Sequence, residues 1–264
     1  MNVFLFLGCS FTWGEGLQYY SELPSVIFHT HHTFDSREIT YPQYQFIKKN
    51  RFARLVADRL NGIEIVTAVN GGNHTTMTNM LFRPTEFIPD YINGDPKNYR
   101  KESFFNKNEI THIVIQFTDV YRDKFSSCGA DVNWARPEQH QYCIEKGISA
   151  EEFEKDGIRY ILRNFKKELE PYIELNVKFA FLMWRHKFWY DVILEEEFEF
   201  FKNNLLEIQL NNHICYSIDS LTNDGKKFTI HSDFCEKGYQ CGDAHMNLEG
   251  HKIIAESIIK KFSN

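Results

Sequence analysis

The chain has 264 residues, 42% hydrophobic and 16% aromatic, enough for a substantial core without a disulfide or metal staple. Its formal net charge of −6 argues against a nucleic-acid partner, because phosphate binding needs clustered positive charge. No apolar stretch approaches the length of a membrane span, so no membrane partner is expected.

Val3, Phe4, Leu5, Phe6 and Leu7 form an apolar run too short for a helix, which predicts a strand buried on both faces, as in a parallel sheet. Phe6-Leu7-Gly8-Cys9 faintly resembles a lipoprotein cleavage site, but no Lys or Arg precedes it, so the segment is read as a strand. The run stops at Gly8-Cys9-Ser10, with Gly14 and Gly16 close behind. A glycine before a serine permits a sharp strand-to-helix turn that lifts the hydroxyl clear of the sheet. The amides opening the next helix then face the same place and can stabilise a developing oxyanion. From these residues alone, a turn with a capping serine is the plainer reading. Cys9, one position earlier, is expected to point away from the site as a buried, inert thiol.

Leu17 to Asn50 is aromatic-rich and longer than a tight α/β enzyme needs, so a wall or lid over the site is expected. Its His29, His31 and His32 have no carboxylate at ligand spacing, and neither metal nor organic cofactor is expected. Phe52, Leu55, Val56 and Leu60 mark an amphipathic helix that ends at Asn61-Gly62. A second strand, Ile63 to Val69, runs into Asn70-Gly71-Gly72-Asn73, and Thr75 to Phe82 follows as a helix. Pro84 to Asn108 reads as an irregular, charged insertion. The third strand, Ile110 to Ile115, leads to Gln116-Phe117-Thr118-Asp119 and a loop carrying Arg122, either an anchor, an anion contact or a solvated cation.

Glu151 to Glu170 reads as a helix stopped by Pro171. Val177 to Trp184 is the fourth strand, which puts Trp184, Arg185 and His186 at the carboxyl edge where open α/β sheets bind ligands. Phe188, Trp189 and Tyr190 add aromatic surface there; Glu195 to Leu210 is read as a helix and His213 to Ile218 as a short last strand. Asp243 and His245 lie just before an amphipathic tail helix with Ile253, Ile254, Ile258 and Phe262 on one face. A carboxylate near an imidazole can orient the ring and free its other nitrogen to deprotonate a serine, although such a pair is also common in surface loops. The six cysteines (Cys9, Cys128, Cys143, Cys215, Cys235, Cys241) lack a framework spacing, and Cys235, Cys241 and His231 do not match a zinc site. Reduced thiols in a cytoplasmic protein are expected. No repeat or linker divides residues 1–264, read as one domain with insertions at about 17–50 and 84–108.

Taken in order, these segments resemble the blocks of the SGNH hydrolases, the GDSL-type esterases and lipases. Gly8-Cys9-Ser10 through Gly16 fits the first block, with Cys9 in place of the usual non-catalytic aspartate. Gly72, with Gly71 beside it, fits the glycine of the second block; Gln116-Phe117-Thr118-Asp119 fits the third with Thr118 where an asparagine is usual, as in some phage-type sequences. Asp243-Ala244-His245 fits the last block with one intervening residue in place of two. The resemblance implies a three-layer α/β/α domain with a flavodoxin-like, mainly parallel sheet. It implies Ser10 as nucleophile, His245 as base and Asp243 as its orienting group, with an oxyanion hole from the Ser10 and Gly72 amides and the Thr118 hydroxyl. Gly71, Asn73, Arg122 and Trp184 would be subsidiary substrate contacts. The expected substrate is a small acyl ester, acetyl among them, on a small molecule or glycan. The same site could serve an acyltransferase, or the fold could survive as a non-catalytic carbohydrate-binding or structural module.

Overall fold

The structure is a computed structural model that describes residues 1–14, 16–21, 41–68, 72–82, 84–89, 99–104, 106–124, 141, 143–185, 187–210, 213–223, 227–235 and 245–264. The main sheet contains β1 (Asn2–Leu7), β2 (Gly62–Val66), β5 (His112–Phe117) and β6 (Lys178–Met183), parallel throughout in the order β2-β1-β5-β6. Two antiparallel ribbons accompany it, β3 (Thr85–Pro89) with β4 (Tyr99–Phe104) and β7 (Ile208–Leu210) with β8 (His213–Cys215).

Side chains alternate across each strand, and the apolar runs therefore feed two cores. Phe4, Phe6, Val114, Ala180 and Leu182 join one; Val3, Leu5, Leu7, Ile113, Ile115, Phe117, Phe179 and Phe181 join the other. Fully burying one such side chain contributes about 1.5–3 kcal/mol. The helices, numbered along the chain, are α1 (Ser10–Trp13), α2 (Tyr41–Asn50), α3 (Phe52–Arg59), α4 (His74–Phe82), α5 (Tyr121–Lys124) and α6 (Ala150–Glu174). They continue as α7 (Lys187–Ile193), α8 (Glu199–Asn203), α9 (Ile218–Asn223), α10 (Ile230–Cys235) and α11 (Leu248–Ser263). The first core is covered by α2, α3 and α11, the second by α4, α6, α7 and α8, which makes three layers.

The long helix α6 illustrates why these segments fold as they do. Phe153, Ile158, Ile161, Leu162, Phe165, Leu169 and Tyr172 recur at helical spacing on its buried face. The Ser149 hydroxyl accepts the Glu152 amide at 3.1 Å as its cap, and Glu151 and Glu152 complement the positive end. Between the sheet and α3 lies a buried ion cluster, with Arg51 Nη2 3.0 Å and Arg54 Nε 3.2 Å from Glu64 Oε1. Among the described residues no helix is long and apolar enough to cross a membrane.

Several local expectations are corrected. The helix does not stop at Pro171 but runs to Glu174; proline removes one donor, and the buried Tyr172, whose hydroxyl donates to Leu81 O, pins the last turn onto α4. Pro84 to Asn108 is not simply irregular, because β3 and β4 pair through their backbones, which needs no apolar run. Within the aromatic-rich segment 17–50, Tyr41–Asn50 forms α2, whose Tyr44 and Ile47 are core residues, and so is Leu17 in the 3-10 turn Leu17–Ser21. Residues 22–40, with His29, His31 and His32, lie outside the described residues.

Glu195 to Leu210 is not one helix. A 3-10 turn at Glu196–Phe198 leads into α8, where Asn204 Nδ2 returns to Phe200 O at 2.8 Å, and the chain then extends so that Leu205 bridges Phe181. His213 to Cys215 pairs with β7 in a ribbon and does not join the main sheet. Trp189 is core and not site surface: on α7 it stacks on Phe117 with ring centroids 4.8 Å apart.

The chain leaves β1 for β2 on one side, then crosses back to β5 on the other. The sheet therefore reverses its winding beside β1, and a crevice opens beyond the carboxyl ends of β1 and β5.

Candidate active site

Ser10 opens α1 at that crevice, two residues after the turn at Gly8. The turn requires glycine, since a Cβ on Gly8 would stand 2.1 Å from Thr12 Oγ1. One buried side chain fixes its shape. Gln116 Oε1, at the end of β5, accepts from the Cys9 amide at 3.3 Å, the Cys9 thiol at 3.2 Å and the Thr12 hydroxyl at 3.1 Å. Cys9 thus faces the core with Gln116, and Ser10 faces the crevice. Gly14, with φ of 95°, closes α1 after one turn in a conformation that favours glycine.

His245 reaches the serine from the far end of the chain, 235 positions away, with Nε2 2.8 Å from Ser10 Oγ. Its main-chain oxygen accepts the Ile230 amide at 2.9 Å, and its ring packs on Phe11 with centroids 4.6 Å apart. Asn247 caps α11 immediately afterwards, its Oδ1 accepting the Gly250 amide at 2.9 Å, which ties the loop to a rigid element. Asp243 and Gly71 lie outside the described residues. One turn into α11, the buried His251 accepts the Phe52 amide on Nδ1 at 3.2 Å. Burial above all, then the charges of His245 and Arg51, push its pKa down to about 3, so this second ring is neutral and structural.

Thr118 follows β5 directly and is fully buried, yet its hydroxyl has no hydrogen-bond partner among the described residues. Gly72 is buried on the loop before α4, its carbonyl accepting Arg122 Nη1 at 3.1 Å. Asn73 is occupied locally: its Oδ1 accepts the Thr76 amide at 2.8 Å and hydroxyl at 2.7 Å, capping α4. Trp184, half-buried after β6, lies 5.9 Å from the Phe11 ring and carries two guanidinium groups, Arg122 at 5.5 Å and Arg185 at 4.7 Å. Arg185 is half-exposed and reaches the buried Asp119 at 3.6 Å.

Sequence reasoning passes over two further groups here. His74 Nε2 accepts the Thr118 amide at 3.1 Å, and its Nδ1 stands 2.5 Å from Asp123 Oδ2. The same carboxylate accepts the His74 amide at 3.0 Å and the Thr75 amide at 2.8 Å. Burial raises the pKa of Asp123, but the hydrogen bond from His74 and those from the two amides leave the group below the ordinary carboxylate value. Arg122 and Asp123, neighbours on α5, therefore grip both ends of the Gly72–His74 loop.

No protein-family model matches the chain, and no curated protein matches it by sequence. Among solved structures it is similar to a G-D-S-L-family lipolytic protein from Desulfitobacterium hafniense (8% identity, 98% of this chain and 99% of that one, TM-score 0.40). It is likewise similar to the psychrotrophic esterase EstA from Pseudoalteromonas sp. (11% identity, 100% and 97%, TM-score 0.38). A third is an acetyl xylan esterase from the rumen bacterium Butyrivibrio proteoclasticus (11% identity, 98% of this chain but 63% of that one, TM-score 0.40). At these values the likeness carries no argument about chemistry, which rests on the geometry of Ser10, His245 and Thr118.

Proposed function

We propose that the chain is a serine esterase of the SGNH kind that hydrolyses small acyl esters. The observation that carries this reading is the 2.8 Å approach of His245 Nε2 to Ser10 Oγ at the mouth of a parallel-sheet crevice. In the first step His245 takes the Ser10 proton as Oγ bonds to the ester carbonyl carbon, and the carbonyl electrons move onto oxygen. The Ser10 and Gly72 amides and the unpartnered Thr118 hydroxyl are the donors proposed for that oxyanion. Collapse of the adduct breaks the ester C–O bond, and His245 returns the proton to the departing alcohol. Water, deprotonated by His245, then attacks the acyl carbon; the C–Oγ bond breaks, His245 returns the proton to Ser10 Oγ, and the acid is released. Asp243 is assigned to orient His245. Beside the nucleophile, Trp184 with its two guanidinium groups offers a flat, cationic wall that suits the ring of a sugar ester, acetylated glycans being the substrates to try first.

The test is hydrolysis of p-nitrophenyl acetate, and of acetylated sugars, by the wild type and by Ser10→Ala. Activity should fall at least about a thousandfold in the variant. Activity that survives the substitution sinks the assignment of Ser10.

A further inference from the structure

We infer that His74 and Asp123 are positioning residues that aim the Thr118 hydroxyl at the oxyanion; the inference rests on the esterase reading above. The argument begins with protons. A carboxylate only accepts, so the 2.5 Å contact to Asp123 requires the proton on His74 Nδ1. The Thr118 amide only donates, so at 3.1 Å it requires a lone pair on His74 Nε2. Both neighbours demand the same neutral tautomer, and the rings of Trp189, Phe117 and Phe165 hold the imidazole in place at 5.4, 6.1 and 6.1 Å. Asp123 is itself fixed by four donors: the His74 ring and amide, the Thr75 amide at 2.8 Å and the Thr75 hydroxyl at 3.0 Å.

The need for such a device follows from the side chain at position 118. An asparagine reaches an oxyanion through two torsions and can correct a misplaced backbone. Threonine has a single stiff χ1, so its hydroxyl points wherever the backbone puts it. Holding the Thr118 amide therefore aims the hydroxyl. The second grip, Arg122 on Gly72 O at 3.1 Å, places the neighbouring loop from the same short helix. The Asp123–His74 pair resembles a catalytic pair, but its Nε2 is turned to the backbone and takes no proton from substrate.

Two substitutions separate positioning from scaffolding. His74→Asn keeps a donor for Asp123 and removes the acceptor for Thr118; His74→Gln keeps an acceptor where Nε2 stood. The readouts are p-nitrophenyl acetate kinetics, the saturating rate and half-saturation of Ser10 labelling by a fluorophosphonate probe, and thermal midpoint. His74→Asn should lower kcat and the saturating labelling rate by about 10- to 100-fold, with KM and half-saturation within about twofold. His74→Gln should recover most of that loss. In a Thr118→Val background His74→Asn should add little, because His74 acts only by aiming the hydroxyl that Val already lacks.

Wild-type kcat in His74→Asn, or an equal drop in the Thr118→Val background, overturns the inference while Ser10-dependent activity leaves the esterase reading intact. A kcat loss that tracks the thermal midpoint and is not recovered by Gln also overturns it. Absence of both esterase activity and probe labelling in the wild type removes the reading and this inference together.

Discussion

At the amino ends of the strands, polar groups close on one another. The Thr111 hydroxyl pairs with His112 Nδ1 at 2.8 Å and with the Val3 main chain, while Lys178 Nζ donates to Phe262 O at 2.9 Å. His112 itself lies between the Phe4 and Phe262 rings at 4.5 and 4.7 Å. The carboxyl ends are arranged otherwise. Around Ser10 the Cys9, Thr118, His74 and Thr75 amides are held from behind, by Gln116, His74 and Asp123, yet the buried Thr118 hydroxyl has no partner among the described residues. A buried polar group left unpaired costs about 1–3 kcal/mol in a folded protein. One edge of the sheet closes on its own pairings, and the other carries a deficit that, on the esterase reading proposed above, an incoming oxyanion would cancel.

Removing the base gives the largest break. His245→Ala should reduce ester hydrolysis at least about a thousandfold, and a short-chain ester assay in which activity persists would show that another group deprotonates Ser10. Thr118→Val sharpens the contrast most. It should lower kcat by about a hundredfold while leaving the thermal midpoint unchanged or higher, since the hydroxyl it removes has no partner among the described residues. A lower midpoint would mean that the hydroxyl is satisfied in solution.

Gln116→Leu attacks the support and not the site. Three donors lose one acceptor, and a loss of about 1–3 kcal/mol in chemical denaturation should accompany weaker activity. Full activity with full stability would mean that Gly8 alone sets the turn.

The smallest effect belongs to the amino edge. Burial, then the Lys178 charge, pushes His112 down to about 4 from 6.5. Below about pH 6.5 the unfolded chain binds a proton that the folded chain refuses, so stability falls from there to about pH 4 and then levels. His112→Phe keeps the ring stack and should flatten that part of the thermal-midpoint profile without changing activity. His251, held near 3, keeps part of the slope. An unchanged profile would count against His112 as its source.

The difference between the edges also explains what could be read from the sequence. Strands β1, β5 and β6 are legible because burial on both faces leaves an uninterrupted apolar run, and Ser10 and His245 are legible because their neighbours, Gly8 and the helix starting at Leu248, have local signatures. Strands β3 and β4 carry no such run, since backbone pairing alone forms them. The capping role of the Asn73 oxygen shows only when Thr76, three residues on, is seen to take it. His74 and Asp123 are 49 positions apart, and nothing local to either hints at the other. The two meet only once β2 and β5, the strands that precede them, lie on either side of β1.

The chain's two ends meet twice: His245 against Ser10 at one edge of the sheet, and Phe262 against Phe4 at the other. During synthesis Ser10 therefore emerges 235 positions before His245, and no nascent fragment that stops short of His245 holds both members of the pair. Contacts of such long sequence separation form late and slowly. On the reading proposed above, translation order keeps Ser10 without its base until all four strands of the main sheet have been made.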